Sequence, residues 1–143
     1  MSSQPIRWRM HLKSPPSKVY DLLSTSEGRA KFWAESAREV DGHIVFKFPN
    51  GQEHRGAVLS ALPPSRFAVR YFGDTECTFE LASDGKGGTD LTLTDAGVPE
   101  KWWQETHAGW LSVLFALKAA ADHGIDLRNH DPERTWDQGF ADN

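Results

Sequence analysis

The chain of 143 residues has a single cysteine, Cys77, which excludes an intramolecular disulfide. Cys77 sits in the alternating stretch Cys77-Thr-Phe-Glu-Leu81, the setting of a small core residue rather than a redox centre. A reducing, cytoplasmic location is the expectation. Long apolar runs are also missing: the longest, Trp110 to Ala121, is interrupted by Lys118 and is too short to span a bilayer. The stretch Met1 to Arg7 lacks the apolar segment of a signal peptide, so a soluble protein with no membrane partner is expected. There is no surplus of positive charge. Lys and Arg total 16 against 20 Asp and Glu, and the scattered cations form no basic stripe, which excludes nucleic acid as a partner. Tyrosine is scarce, two residues against six Trp and eight Phe, so the chain carries wide apolar surface with few hydroxyl handles. That suits a core or a greasy cavity better than a polar substrate site.

Signatures of bound metal or cofactor are equally thin. His123, Asp126 and His130 are too loosely spaced, and too near a helix end, to make a metal set, so no metal is expected. Ser24, Ser60 and Ser112 lack a Gly-x-Ser-x-Gly context, and Cys77 has no sequence partner that would make it a nucleophile. The glycine-rich run Asp84-Gly-Lys-Gly-Gly88 joins two strands, whereas a phosphate loop needs a following helix N-terminus. No cofactor is expected.

What is present is an ordered series of short elements in one domain. Ile6, Trp8, Met10 and Leu12 alternate with Arg7, Arg9, His11 and Lys13, the pattern of a strand with one buried face. Ser14 followed by Pro15 supplies an N-cap and first helical residue for a short helix whose Val19, Leu22 and Leu23 share a face. A second helical turn, about Ser26 to Phe32, ends at Trp33. Strands follow at Arg38 to Val40 and Ile44 to Phe48, joined through Asp41-Gly42, then at Glu53–Leu62, Arg66–Phe72, Thr75–Ala82 and Thr89–Asp95. Phe67, Val69 and Tyr71 face one way. Short connections imply an antiparallel meander, because parallel neighbours need long crossovers. The class is α+β.

A long helix closes the series, from Pro99 to about His123 with Gly124 as its C-cap. At about 100° per residue, Trp103, His107, Trp110, Leu114, Leu117 and Ala121 fall in one stripe that should face the sheet. Trp102 lies at the margin of the stripe and Phe115 beside the polar face, so each should meet something other than the sheet. Beyond Gly124 the chain is polar but carries Trp136 and Phe140, which either fold back onto Phe115 or cover a second subunit. Outlying aromatics of this kind prompt the expectation of a homodimer.

These residues carry a resemblance. Ser14-Pro-Pro-Ser-Lys-Val-Tyr-Asp-Leu-Leu-Ser24, Gly28 to Trp33, Pro63-Pro-Ser-Arg-Phe67, Thr78-Phe-Glu-Leu81, Gly87-Gly-Thr-Asp-Leu-Thr-Leu-Thr94 and His107-Ala-Gly-Trp110 resemble the START-like SRPBCC superfamily. Within it the chain is most similar to the AHSA-type family, homologues of the activator of the heat-shock-protein-90 ATPase. The resemblance covers about residues 5 to 123. It implies a helix-grip fold, in which a bent antiparallel sheet wraps the C-terminal helix and two short helices brace one end. It also implies a cavity between helix and sheet, which relatives use for lipids, polyketides or hormones. A chaperone partner is implied by resemblance only. Residues 5–124 are then the helix-grip domain and 125–143 a C-terminal extension.

The expected cavity is lined by Trp8, Phe46, Phe48, Tyr71, Cys77, Phe79, Trp103, His107, Trp110 and Leu114, with Met10, Leu91 and Leu93 on the same inner face. A strongly curved sheet diverges from a straight helix toward one end, leaving room for a small apolar or aromatic molecule held by burial. The alternative is an interior filled at native density. His107 is the candidate polar group, orienting a ligand or acting as acid or base, and Asp95 is the acid that strand alternation places near it. Three functions stay open: binding or carriage of the molecule, a cavity enzyme of cyclase, hydrolase or dehydratase type, or an interaction module working through its outer surface.

Overall fold

A computed structural model describes residues 4–143; Met1, Ser2 and Ser3, part of the stretch read as lacking a signal segment, lie outside the described residues. Seven strands form one antiparallel sheet in the order β1-β7-β6-β5-β4-β3-β2. They are β1 (Ile6–Leu12), β2 (Ser36–Val40), β3 (His43–Lys47), β4 (Glu53–Leu62), β5 (Arg66–Tyr71), β6 (Thr75–Ser83) and β7 (Thr89–Ala96). Between β1 and β2 lie the short helices α1 (Pro16–Ser24) and α2 (Ser26–Arg29), and after β7 runs the long α3 (Glu100–Lys118). No helix among the described residues is long and apolar enough to cross a membrane.

Alternation sets the register. Trp8 pairs with Leu93 and Met10 with Leu91 across β1 and β7, and Leu93 pairs in turn with Phe79 on β6, so apolar side chains from three strands share the inner face. The β2–β3 hairpin turns on Asp41 and Gly42, both with positive φ (52° and 76°), as a tight turn between right-twisted strands requires. β4 carries an irregularity between Val58 and Ser60 in its pairing with β5, which bends the sheet.

The ends of the helices differ from the sequence expectation by a residue or two. Pro15 and not Ser14 is the N-cap of α1. The Ser14 hydroxyl is instead drawn to the far end of α3, donating within 2.8 Å to the Ala121 carbonyl and to Asp122 Oδ1. Asp122 also accepts the backbone N–H groups of Lys13 and Ser14. Burial alone would raise the Asp122 carboxyl, but these donors and Lys118 bring it down to about 2. This knot ties the start of α1 to the close of α3. The long helix gives way at Ala119–His123 to a π-helical turn before Gly124, whose φ of 64° ends it. α2 stops at Arg29, and Trp33 follows in a turn.

The core lies between the sheet and the helices. Ile6, Leu12, Leu23, Phe46, Phe67, Phe79, Leu91, Leu93 and Leu114 are almost fully buried in one cluster. Along α3 burial is uneven. Trp110, Leu114, Ala116 and Leu117 are buried in the second half, whereas nothing from Glu100 to Gly109 is fully covered. The first half of α3 meets the sheet at the β1 edge, where Trp8 Nε1 donates to the His107 carbonyl, and the opening beside it is the feature that bears on function.

Candidate functional site

The opening is a cleft of about 590 Å³ between the first half of α3, the ends of β3 and β5, the loop after β7 and the C-terminal segment. Its floor is aromatic. Trp33, Tyr71 and Trp110 meet there, with ring centroids 5.6 Å (Trp33 to Tyr71), 5.2 Å (Tyr71 to Trp110) and 6.0 Å (Trp33 to Trp110) apart. Trp33 Nε1 donates to the Tyr71 hydroxyl at 3.0 Å, and Trp110 Nε1 donates to Asp95 Oδ2 at 2.9 Å. Phe48 and Phe72 form one side, Val98, Pro99 and Val113 another, and Trp102 stands at the rim with 52% of its surface exposed.

Asp95 is 1% exposed, and its Oδ1 has no hydrogen-bond partner of ordinary geometry. Burial raises its carboxyl, opposed by the nearby Thr75 hydroxyl and the Trp110 N–H. Burial likewise pushes the Tyr71 phenol and the Cys77 thiol up, so both stay neutral at physiological pH.

The C-terminal segment supplies the remaining wall. Trp136 lies over Gly109 of α3, where a side chain's Cβ would meet its ring at 3.6 Å, and its Nε1 reaches Glu105 at 3.3 Å. Asp137 accepts the Asn50 side-chain amide at 3.1 Å, bridging the segment to the turn after β3. Farther back, Arg128 donates to the Ala30 and Ala34 carbonyls at 2.6 and 2.8 Å. His130 is clasped between Glu35 and Asp126, each at 2.7 Å. The segment thus folds back on its own chain, with Trp136 over Gly109, while Phe115 borders a second hollow with Leu127 and Ala141 and stays 53% exposed.

Of the residues expected from the sequence to line a cavity, Phe48, Tyr71 and Trp110 border this cleft. Phe46, Cys77, Phe79 and Leu114 are buried in the core beneath and beside it. Trp8, Trp103 and His107 are brought together elsewhere, at the β1 edge. The His107 ring is stacked between those of Trp8 and Trp103, with centroids 4.4 and 4.6 Å away, while Trp8 Nε1 donates to the His107 carbonyl. Asp95 takes the Trp110 indole and not His107, because Trp110 lies one helical turn deeper under the sheet. Trp33, Phe72, Trp102 and Trp136 were not anticipated as lining. The adjacent pair Phe32-Trp33 outside any regular element was the available signal for the first, since an aromatic in a turn needs a hydrophobic home. Phe72 is swung round by Gly73 and Asp74, both with positive φ, which end the alternation of β5.

A bent antiparallel sheet gripping a C-terminal helix, braced by two short helices after the first strand, defines a helix-grip, START-like domain. The chain belongs to the family of Activator of Hsp90 ATPase homolog 1-like proteins, whose model matches residues 13–122. It is similar to the Aha1 dimer from Colwellia psychrerythraea, with 25% identity and a TM-score of 0.76 over 85% of this chain and 98% of that one. It is also similar to CV1439 from Chromobacterium violaceum (27% identity, TM-score 0.68, 84% of this chain and 99% of that one). DynU16, from the dynemicin biosynthetic locus, shares the fold at 20% identity and a TM-score of 0.76, over 87% of this chain and 49% of that one. No curated protein matches the sequence.

Proposed function

We propose that the protein binds or carries a small apolar or aromatic molecule in the cleft beneath the first half of α3. The observation that carries this reading is the aromatic floor of Trp33, Tyr71 and Trp110 bordering about 590 Å³ of space, a volume in the range of small-molecule sites. Burial of apolar ligand surface supplies affinity at roughly 25 cal/mol per Å², less the cost of ordering the ligand. The Tyr71 hydroxyl, already accepting from Trp33, keeps its own proton for a ligand carbonyl or hydroxyl. Residues 5–124 act as the gripping domain, and 125–143 as an extension whose Trp136 walls the cleft. The cavity-enzyme reading through His107 has less support, because His107 packs with Trp8 and Trp103 at the β1 edge and does not border the cleft.

Four of the six tryptophans, Trp33, Trp102, Trp110 and Trp136, line the cleft, so intrinsic fluorescence reports on its occupancy. A library of aromatic and lipid-like compounds should contain members that shift the emission and raise the melting temperature. Mass spectrometry of small molecules released from the denatured protein should identify a co-purifying ligand. If neither measurement finds a binder, the reading fails.

Exposed Trp102, Phe115 and Phe140 support self-association, and the dimer formed by the Colwellia relative favours a homodimer here. Sedimentation equilibrium decides between that and a monomer. A chaperone partner rests on the family description alone.

A further inference from the structure

The charge around the cleft is lopsided. Glu35, Asp95, Glu105, Arg128 and Asp137 all border it. The single cation, Arg128, is already spent on Asp126 and on the Ala30 and Ala34 carbonyls. Glu35 is paired with His130, but Glu105 and Asp137 are met by neutral donors, the Trp136 indole for one and the Thr135 hydroxyl and Asn50 amide for the other. Beneath the floor, Asp95 is buried with the Trp110 indole and the nearby Thr75 hydroxyl as its polar neighbours and with no cation among its hydrogen-bond partners. A buried carboxylate without a counter-charge is costly, and the cleft opens on the other side of the rings that cover it.

The aromatic floor is suited to the missing charge. The negative face of an indole or phenol attracts a cation. Accepting the Trp110 N–H at the edge of the ring, Asp95 adds electron density to the indole that packs against Tyr71. The carboxyl is covered by the floor, so a ligand cation acts on it through the rings.

Resting on the reading of the cleft as a binding site, we propose that its occupant is an amphipathic organic cation: an amine on an aromatic or aliphatic body, its ammonium over the half-buried Tyr71 ring and near the Glu105 and Asp137 carboxylates that border the cleft. An anion of the same shape meets Glu105 and Asp137 at the rim and Asp95 behind the floor, and is rejected.

Titration calorimetry and tryptophan quenching with 3-phenylpropylamine, 3-phenylpropan-1-ol and 3-phenylpropanoate test this at neutral pH. The amine should bind about tenfold more tightly than the alcohol, and the carboxylate more weakly than either. Asp95→Asn should shrink the gap between amine and alcohol. Should that variant fail to fold, Glu105→Gln with Asp137→Asn should narrow the gap from the rim. Equal binding of amine and alcohol, or tighter binding of the carboxylate, overturns the cation and leaves the cleft reading standing. No saturable binding of any of the three overturns both.

Discussion

The indole of Trp110 donates to Asp95 Oδ2 at 2.9 Å from one helical turn below His107, and this bond joins α3 to β7 at the floor of the cleft. It fixes the sense of a pH effect. Burial raises the Asp95 carboxyl above its unfolded value, so the folded state binds the extra proton. The stability Asp95 contributes is therefore present below the unfolded pKa, near 3.9, and is lost as pH rises through the raised folded value. Asp95→Asn, which can still accept the indole N–H, removes that loss. Urea titrations of both proteins should show the variant gaining on the wild type from acid toward neutral pH, with a constant difference thereafter. A difference independent of pH would mean that Asp95 titrates as it does in the unfolded chain.

Tyr71→Phe should destabilise by about 1–3 kcal/mol, because the buried Trp33 indole is left without its acceptor. Equilibrium denaturation measures the cost. The same variant should weaken ligands bearing a carbonyl more than purely apolar ones, since a hydrocarbon never used the phenol.

The fold was legible in the sequence and the site only in part, for reasons that individual residues show. Alternation in β1, β6 and β7 carries its own register, and Asp41-Gly42 its own turn, so those elements follow from local chemistry. By angle the helix stripe sets Trp103 and His107 with Trp110, but the first two pack with Trp8 at the β1 edge while Trp110 borders the cleft. Angle says which face turns inward but not which part of the sheet each turn of the helix meets. Trp136 reaches the cleft through contacts with Gly109, Glu105 and, by way of Asp137, Asn50, all remote in sequence. No periodicity encodes such contacts.

Arg29 is buried completely, its Nε and Nη1 donating to the Ala37 and Leu23 carbonyls at 3.0 Å while Nη2 has no partner. It holds the helical pair to β2. Arg29→Ala should cost about 3–5 kcal/mol, combining a cavity with two stranded carbonyls. Arg29→Met keeps most of the volume and removes a buried charge that only Glu39 offsets, so it should cost clearly less. If chemical denaturation finds the two equally costly, the charge and hydrogen bonds that both variants lose, and not packing, are the contribution of this side chain.

Gly56 sits where β4 passes the Arg70 carbonyl, and an added Cβ would lie 1.8 Å from that oxygen. The Arg70 oxygen and carbon are backbone, with the His54 imidazole also 2.9 Å away, so the strands must part. Gly56→Ala should cost about 1–3 kcal/mol or more in a thermal melt, whereas Gly109→Ala, whose Cβ would touch Trp136 at 3.6 Å, should be tolerated.

The clasp of His130 between Glu35 and Asp126 makes the wall of the cleft sensitive to pH. Its hydrogen bond to Asp126 is the largest influence raising the imidazole, with burial opposing and Glu35 adding to the rise. A raised histidine stabilises the folded state fully below its unfolded pKa of about 6.5, and that contribution is lost as pH climbs through the folded value. The groups are partly exposed, so the effect is local and not global. Amide hydrogen exchange, corrected for its intrinsic pH dependence, should show residues 125–143 losing protection above neutral pH while β6 and β7 do not. His130→Gln should show reduced protection at every pH. As Trp136 belongs to this segment, its fluorescence and the affinity of any cleft ligand should move along the same pH curve. A ligand affinity flat across that range, with exchange changing as described, would mean that the extension covers the cleft without holding its contents.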